Sequence, residues 1–255
     1  MTTLARRVDG PSDGAVVVLG PSLGSTWEMW DGVAAALSST YQVVRYDTRG
    51  HGRSPAPPGP YTVEELADDV LGVVDDLGVG RFGFVGLSLG GAIGQVLAAR
   101  HADRVAAAVL CCTVPKFGDP AAWTERAALV RSQGMTALEE STRQRWFSDA
   151  FRAAQPAEVD RLIGMLTALD ADGYASCCEA LATFDARSRL GSIDVPVRVV
   201  AGSEDPVATA DACRALAAAI PGADLVVLPG ASHLASAEQP EAFVRAVTEH
   251  LERHL

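Results

Sequence analysis

The sequence predicts one α/β domain with a mainly parallel central sheet and flanking helices. Short apolar runs, of the kind buried on both faces of a parallel sheet, alternate with longer segments of helical periodicity. One of the predicted strands leads directly into a helix through a glycine-framed turn. The 255 residues suit a single large domain, which at this size buries about 70 to 75% of the surface of its unfolded chain.

Composition and charge exclude several classes of partner. The formal net charge of -11 argues against nucleic acid and anionic membranes, which both bind a basic face, so we expect neither as a partner. Residues 1–10 lack the apolar core of a secretory signal, and no apolar run approaches the roughly 18 residues of a membrane span. The five cysteines contain no C-x-x-C motif, which predicts neither a disulfide framework nor a metal site and favours the cytoplasm.

The first half of the chain follows a regular alternation of elements. Apolar β-branched runs predict strands, and apolar residues at three- and four-residue spacing predict helices. Four acidic residues in the second helix, Glu64, Glu65, Asp68 and Asp69, are expected on solvated faces. In order, the predicted elements are strands at 4–8, 15–19, 41–46, 82–85 and 105–112, with helices at 27–37, 63–77 and 90–99.

The alternation stops in the middle of the chain. Residues 114–190 show no strand pattern and contain only helical patterns rich in arginine and tryptophan, at 121–133, 136–147 and 158–167. We predict a helical cap at 114–190, inserted into a core formed by residues 1–113 and 191–255. Strand patterns resume at 196–201 and 224–228, before a final helix at 240–255.

The glycine-framed turn carries a candidate nucleophile. Gly86, Leu87, Ser88, Leu89 and Gly90 spell G-x-S-x-G, in which two glycines let a strand and a helix approach closely around a strained serine. The turn lifts the Ser88 hydroxyl off the sheet, and the helix N-terminus behind it favours developing negative charge. A glycine-rich turn without chemistry is the alternative. The required strand and helix flank the motif, so we predict nucleophilic catalysis by Ser88.

A second glycine-rich loop, at residues 20–25, follows the predicted strand at 15–19. Such a loop at the carboxyl end of a central strand lies where open α/β sheets bind ligands. Pro21 has no N–H to donate, so Ser22 is the next donor. We predict that the backbone N–H groups of Ser22 and Leu89 form an oxyanion hole, with an ordinary turn as the alternative.

The base and the acid are expected after the serine in chain order. His233 lies in a glycine-containing loop just beyond the last predicted strand, at the edge where Ser88 should emerge. His250 and His254 stand one turn apart in the final helix, where a solvated face is expected. Glu204 and Asp205 follow the strand before that of His233, and both are candidates for the acid.

These motifs resemble the α/β-hydrolases over the whole chain, and in particular the 3-oxoadipate enol-lactonases of aromatic catabolism. One departure is Leu89, where many members carry methionine; the predicted contact is a backbone N–H, so the change should be tolerated. The resemblance rests on GPSLGSTWEMW at 20–30, YDTRGHGRS at 46–54, GLSLGGAIGQ at 86–95, scattered identities at 123–147, GYASCCEA at 173–180 and HLASAEQPEAF at 233–243.

The resemblance also selects among the open candidates. G-x-x-D-P at 202–206 resembles the acid loop of the superfamily, which favours Asp205 over Glu204. Some hydrolases place the acid one strand earlier, but Cys111, Cys112 and Thr113 occupy that location here. Asp47 and His51 lie in a D-x-R-G-x-G-x-S loop that many α/β-hydrolases share, and we expect a structural role for both.

The implied reaction is hydrolysis of 3-oxoadipate enol-lactone to 3-oxoadipate, without a metal or an organic cofactor. Ser88 would be the nucleophile, His233 the general base and then acid, and Asp205 the residue that orients the imidazole. An anionic lactone in an acidic protein requires a local cation, so the resemblance makes the cap arginines candidate carboxylate ligands. These are Arg126, Arg131, Arg143 and Arg145, with Trp123 and Trp146 as candidate pocket walls.

Other functions remain open from the sequence. A carboxylesterase, or a hydrolase of other lactones or of C–C bonds, would use the same triad. A ligand receptor with slow or absent turnover is the alternative outside enzymology. Haloalkane dehalogenases and epoxide hydrolases are disfavoured, because they carry aspartate where this chain has Ser88. No sequence feature indicates the oligomeric state.

Overall fold

Seven strands form one sheet at the centre of the computed structural model, which describes residues 2–255. They are β1 (Arg6–Asp9), β2 (Val16–Gly20), β3 (Gln42–Tyr46), β4 (Phe82–Leu87), β5 (Val105–Cys111), β6 (Val197–Gly202) and β7 (Asp224–Leu228). Their order is β1-β3-β2-β4-β5-β6-β7, and only the edge pair β1 and β3 is antiparallel among these described residues. The predicted α/β class with a mainly parallel sheet is confirmed.

The central strands are apolar throughout because helices cover both faces of the sheet. Every residue of β4 and β5 is buried, whereas the edge strand β7 is partly exposed. Parallel strands end at one edge of the sheet, so the loops after β2, β4, β6 and β7 converge there. The first strand begins two residues later than the sequence pattern suggests, at Arg6.

Helices fill the connections between the strands. Two predicted helices are divided: 3-10 turns at Trp27–Trp30 and Met135–Leu138 precede shorter helices that begin at Asp31 and Glu139. Within residues 2–255, each helix is too short or too polar to span a bilayer. The helices are α1 (Asp31–Leu37), α2 (Val63–Asp76), α3 (Leu89–Arg100), α4 (Pro120–Gln133), α5 (Glu139–Trp146), α6 (Asp149–Ala154), α7 (Pro156–Thr167), α8 (Ala171–Thr183), α9 (Ala210–Ala219), α10 (Ala235–Glu238) and α11 (Pro240–His254).

The segment between β5 and β6 contains α4 to α8 and no strand among its described residues. We call residues 114–190 the helical insertion. Its last helix, α8, lies directly on the loop after β3: a Cβ on Gly173 would come within 2.5 Å of the Gly50 Cα, and the reverse contact is equally close. Only glycine at both positions permits this approach, which brings Tyr174 of α8 to the sheet edge.

Asp69 is not on a solvated face of α2, so that prediction is wrong. Its side chain is 1% exposed, and the Arg49 guanidinium donates two hydrogen bonds to it, at 2.7 and 2.9 Å. A buried carboxylate is tolerated when it is paired and hydrogen-bonded in this way. Glu65 on the same helix is exposed, as predicted, and forms the capping box with Thr62.

His250 of α11 also departs from its predicted solvated position. It is only 4% exposed, and its Nε2 lies 3.3 Å from the carbonyl oxygen of Pro196. Burial lowers the pKa of His250 to about 4, because the charged imidazolium loses solvation. His254, one turn further on, is exposed. The two histidines of one helix are therefore in opposite environments.

Candidate active site

Ser88 occupies a strained turn between β4 and α3. Its φ of 57° and ψ of -109° lie in a region that residues with a Cβ rarely adopt. A Cβ on Gly86 would lie 2.2 Å from the carbonyl oxygen of Gly90, and one on Gly90 would lie 2.1 Å from that of Gly20. Close packing of strand against helix therefore requires both glycines. Thr113 Oγ1 donates a hydrogen bond of 2.9 Å to the Ser88 carbonyl and helps to hold the turn.

Asp205 and His233 are brought together by the ends of two neighbouring strands, β6 and β7. Asp205 Oδ2 lies 2.8 Å from His233 Nδ1, and both side chains are buried. Asp205 Oδ1 accepts hydrogen bonds from the backbone N–H groups of Val207 and Ala208, at 2.7 and 3.0 Å. This pairing places the imidazole proton on Nδ1 and leaves Nε2 free to accept one.

The electrostatic environment keeps Asp205 ionised. Burial by itself raises the pKa of Asp205, but the charge and hydrogen bond of His233, with the two backbone donors, hold it below its usual value. Glu204, the other candidate acid, is exposed, and its N–H donates to the carbonyl oxygen of Ala231. The structure brings Asp205, and not Glu204, to the histidine.

The predicted oxyanion donors come from two places, Ser22 from the loop after β2 and Leu89 from the start of α3, directly after Ser88. The N–H of Gly90 donates to the Pro21 carbonyl at 3.1 Å and so ties this loop to the start of α3. The Ser22 N–H contacts only the Met29 sulfur, at 3.2 Å, which is a weak acceptor. The Leu89 N–H, at the first residue of α3, makes no turn, loop or cap hydrogen bond within residues 2–255. Both N–H groups can therefore bind a stronger acceptor.

His51 stabilises that loop from the segment after β3. Its Nε2 accepts the Gly24 N–H at 3.1 Å, which places the imidazole proton on Nδ1, 3.3 Å from the Arg49 carbonyl. Burial lowers the pKa of His51 to about 4, so the ring is neutral near pH 7. Asp47 accepts the Trp27 N–H at 2.8 Å and the Arg53 N–H at 2.9 Å. Both residues hold backbone in place, in agreement with a structural role.

One cavity of about 120 Å³ lies over Ser88 and His233. Ser22, Ser88 and His233 line it from the sheet edge, and side chains of the helical insertion close it from the other side. The insertion contributes four residues that the sequence singled out, Trp123, Arg126, Arg145 and Trp146. Leu23, Thr142, Tyr174 and Val207 complete the lining without having been predicted.

Comparison with known proteins assigns the chain to a family. A sequence model of the alpha/beta hydrolase fold matches residues 15–240. The chain belongs to the α/β-hydrolase family. It is 41% identical to 3-oxoadipate enol-lactonase 2 of Acinetobacter baylyi over 238 residues, covering 93% of this chain and 89% of the relative. It is 37% identical to 3-oxoadipate enol-lactonase 1 of the same organism, with coverage of 95% and 91%.

A solved structure shows the same likeness. The enol-lactonase of Burkholderia xenovorans LB400 superposes on this α/β-hydrolase with a TM-score of 0.96 and 43% identity, over 98% of this chain and 96% of the other. The predicted resemblance to the 3-oxoadipate enol-lactonases is therefore confirmed, and so is the prediction that this chain is a hydrolytic enzyme.

Two arginines of this α/β-hydrolase face the cavity without a counterion. The insertion holds eight arginines, and six of them pair with carboxylates. Arg126 and Arg145 make no such pair within residues 2–255: Arg126 Nη1 lies 3.4 Å from the Tyr174 hydroxyl, and Arg145 Nη2 lies 3.2 Å from Thr142 Oγ1. Burial, and then the charge of Arg126, lower the pKa of Arg145 to about 10. The site thus concentrates positive charge in an acidic protein.

Arg131 and Arg143 are not brought to the cavity. The Arg131 guanidinium pairs with Glu179 and Asp172 of α8, and Arg143 pairs with Asp160 at 2.7 Å and Glu139 at 3.3 Å. Neither lines the cavity. The expected contact of Arg131 with a substrate is not supported, because acidic side chains on the outside of the insertion already neutralise it.

Tyr174 is a cavity residue that the sequence patterns did not predict. It is buried, its hydroxyl faces Arg126, and its ring contributes to the cavity wall. A signal was present, since Tyr174 lies in the GYASCCEA stretch that carries the family resemblance.

Within residues 2–255, no group of three or more His, Cys, Asp or Glu side chains is arranged to hold a metal ion.

Proposed function

We propose that this α/β-hydrolase opens 3-oxoadipate enol-lactone to 3-oxoadipate by a Ser-His-Asp acyl-enzyme mechanism, in the β-ketoadipate pathway of aromatic catabolism. The observation that carries the proposal is the pair of uncompensated arginines, Arg126 and Arg145, in the cavity of Ser88 and His233. The names of the relatives, 3-oxoadipate enol-lactonases, point to the same substrate.

The first step is attack by Ser88 on the lactone carbonyl. His233 Nε2 takes the hydroxyl proton, and Asp205 stabilises the resulting imidazolium through its bond to Nδ1. The carbonyl oxygen becomes an oxyanion, which the N–H groups of Ser22 and Leu89 receive. Such preorganised donors contribute about 3 to 4 kcal/mol each to the transition state.

The second half of the reaction releases the product. The C–O bond of the ring breaks, and the leaving enolate stays attached as part of the acyl chain. Protonation by His233 yields an enol that becomes a ketone, which makes ring closure unfavourable. His233 then takes a proton from water, which attacks the acyl-enzyme, and Ser88 regains its proton as the acid leaves.

The two arginines bind the carboxymethyl arm of the lactone. A guanidinium and a carboxylate form paired, charge-assisted hydrogen bonds, and these are stronger in a partly buried cavity than in water. Trp123 restricts Arg126, whose guanidinium carbon lies 5.3 Å from the centre of its ring. The substrate carboxylate thereby gains the counterion that the rest of an acidic surface does not offer.

The test is turnover of enol-lactone generated in situ and followed by its loss of absorbance. We expect rapid turnover by the wild type and a loss of about 10⁴- to 10⁶-fold in Ser88→Ala, the range seen when a catalytic serine is removed. A neutral p-nitrophenyl ester assayed in parallel separates the alternatives. Slow lactone turnover with fast ester turnover in the wild type would identify a carboxylesterase and refute the substrate. Undiminished turnover by Ser88→Ala would refute the mechanism.

A further inference from the structure

Glu238, the last residue of α10, has a buried carboxylate that the reaction does not use. Its side chain lies between the His233 loop and the helical insertion, and the residue is only 9% exposed. The Ser148 hydroxyl donates to Glu238 Oε2 at 2.5 Å, and the Ser148 N–H lies 3.3 Å from both oxygens. From the opposite side, the Ser232 N–H donates to Oε1 at 2.9 Å.

The two serines belong to segments that carry groups of the site. Ser232 precedes His233, and Ser148 follows the end of α5, where Arg145 and Trp146 lie. Glu238 therefore bridges the loop of the proposed base and the part of the insertion that presents one of the two uncompensated arginines. The bridge spans 90 residues of sequence between Ser148 and Glu238.

Two further bonds join the same segments without Glu238. The Ser232 hydroxyl donates to the Arg145 carbonyl at 3.3 Å, and the Leu234 N–H donates to the Trp146 carbonyl at 2.9 Å. Both neighbours of His233 in sequence are thus bonded to the backbone of cavity residues. The histidine loop and the end of α5 form one hydrogen-bonded unit.

The choice of a carboxylate at this position needs an explanation. Within residues 2–255, Glu238 has no arginine, lysine or histidine partner, and only serine hydroxyl and backbone N–H groups bind it. Burial, with Glu204 nearby, raises the pKa of Glu238. A buried carboxylate without a cation is costly, and an apolar residue would fill the same space at less cost. Its ability to accept several hydrogen bonds from two directions is what an apolar side chain lacks.

We propose that Glu238 is a positioning residue that sets His233 and Arg145 relative to each other. It binds the N–H of Ser232 on one side and Ser148 on the other. Proton transfer at Ser88 and binding of the substrate anion therefore both depend on the position of Glu238. The part concerning Arg145 rests on the proposed function. The part concerning His233 applies to any ester that this site cleaves.

The test measures kcat and KM for the enol-lactone and for a neutral p-nitrophenyl ester in Glu238→Ala, Glu238→Gln and Ser148→Ala. Glu241→Gln is the matched control, since Glu241 is an exposed acid three residues further along the chain. Active sites are counted by titration with a serine-reactive phosphonate, so that kcat refers to folded enzyme. Thermal unfolding of each variant is recorded separately.

We expect Glu238→Ala to lower kcat per titrated site for both substrates by about 10- to 100-fold, the loss typical of a misplaced catalytic group. KM should rise more for the anionic lactone than for the neutral ester. Glu238→Gln, which keeps an acceptor for Ser232, should recover most of kcat. Ser148→Ala removes the hydroxyl bond on the insertion side and leaves the bond of Ser232 to Glu238 intact. It should raise KM for the lactone while kcat for the ester stays near the wild-type value.

A purely structural role gives a different result. In that case Glu238→Ala would lower the unfolding temperature and the number of titrated sites, while kcat per site and KM stayed within about twofold of the wild type. That outcome overturns the proposal. If the proposed function is wrong, the wild type will not turn over the lactone. In that case kcat of Glu238→Ala for the ester still tests whether Glu238 positions His233.

Discussion

The sheet edge and the helical insertion supply one cavity in different ways. At the sheet edge, Ser88, Asp205 and His233 each follow a strand end, and the backbone itself sets their positions. In the insertion, arginines on the same helix have different partners. Arg126 and Arg131 both lie on α4, yet Arg126 faces the cavity without a carboxylate and Arg131 is paired on the outer surface.

The difference between the two groups of arginines lies in their partners. Six insertion arginines have acidic partners, and their charge is already neutralised. The two without such partners, Arg126 and Arg145, are held by uncharged hydroxyl groups and an aromatic ring. A guanidinium that keeps its full charge in a partly buried cavity is suited to an anionic ligand. We therefore expect the sheet edge to control kcat and the insertion to control KM.

Among the charged residues of the two regions, the acid of the sheet edge should give the largest effect. Asp205→Asn keeps the shape of the side chain but removes the charge that orients His233 and stabilises its protonated form. We expect kcat to fall by about 10⁴-fold, the loss typical of this change in serine hydrolases.

Glu204→Gln is the matched control for Asp205→Asn. Glu204 is the exposed neighbour, and its replacement should leave kcat near the wild-type value. Steady-state kinetics on the lactone and a neutral ester would measure both variants. A large loss in Glu204→Gln, or none in Asp205→Asn, would contradict the assignment of the acid.

The next largest effect should come from an uncompensated arginine. Arg145→Gln removes a charge-assisted contact of about 1.5 to 3 kcal/mol, which corresponds to about a 10- to 100-fold rise in KM for the anionic lactone. KM for a neutral p-nitrophenyl ester should change little, because that substrate has no carboxylate. Equal changes for both substrates would show that Arg145 acts through packing rather than through its charge.

The smallest effect should come from a paired arginine. Arg131→Gln breaks an exposed ion pair, and such pairs contribute about 0 to 1 kcal/mol to stability. We expect a small decrease in the unfolding temperature and a KM for the lactone close to that of the wild type. A rise in KM comparable to that of Arg145→Gln would remove the distinction between the two groups of arginines.

Much of the fold follows from local patterns. The alternation of apolar strands and amphipathic helices predicts the parallel sheet, because burial on both faces requires strands of this composition. The G-x-S-x-G turn predicts the close approach of β4 and α3, where a Cβ on either glycine would collide with backbone. The candidate groups at the strand ends could be named from chain order, since parallel strands direct their carboxyl ends to one edge.

The burial of single charged groups could not be predicted in the same way. Asp69 lies on a helix whose other acids are at least partly exposed, and its burial depends on hydrogen bonds from distant residues, Arg49 and the Thr2 N–H. His250 and His254 have the same local spacing, but His250 is covered where α11 packs near Pro196. Periodicity describes a helix face, whereas burial depends on which neighbour covers that face.

The sequence by itself determined the sheet, the glycine-framed turn and the places of Ser88, His233 and two candidate acids after strand ends, because these depend on adjacent residues. Only the tertiary structure decided which arginines keep a free charge, brought Tyr174 to the cavity wall and placed Glu238 between Ser232 and Ser148. Arg131 pairs with Glu179, which is 48 residues away in sequence, and Glu238 binds Ser148, which is 90 residues away. Charge compensation across such separations depends on how the helices pack, which no local pattern encodes.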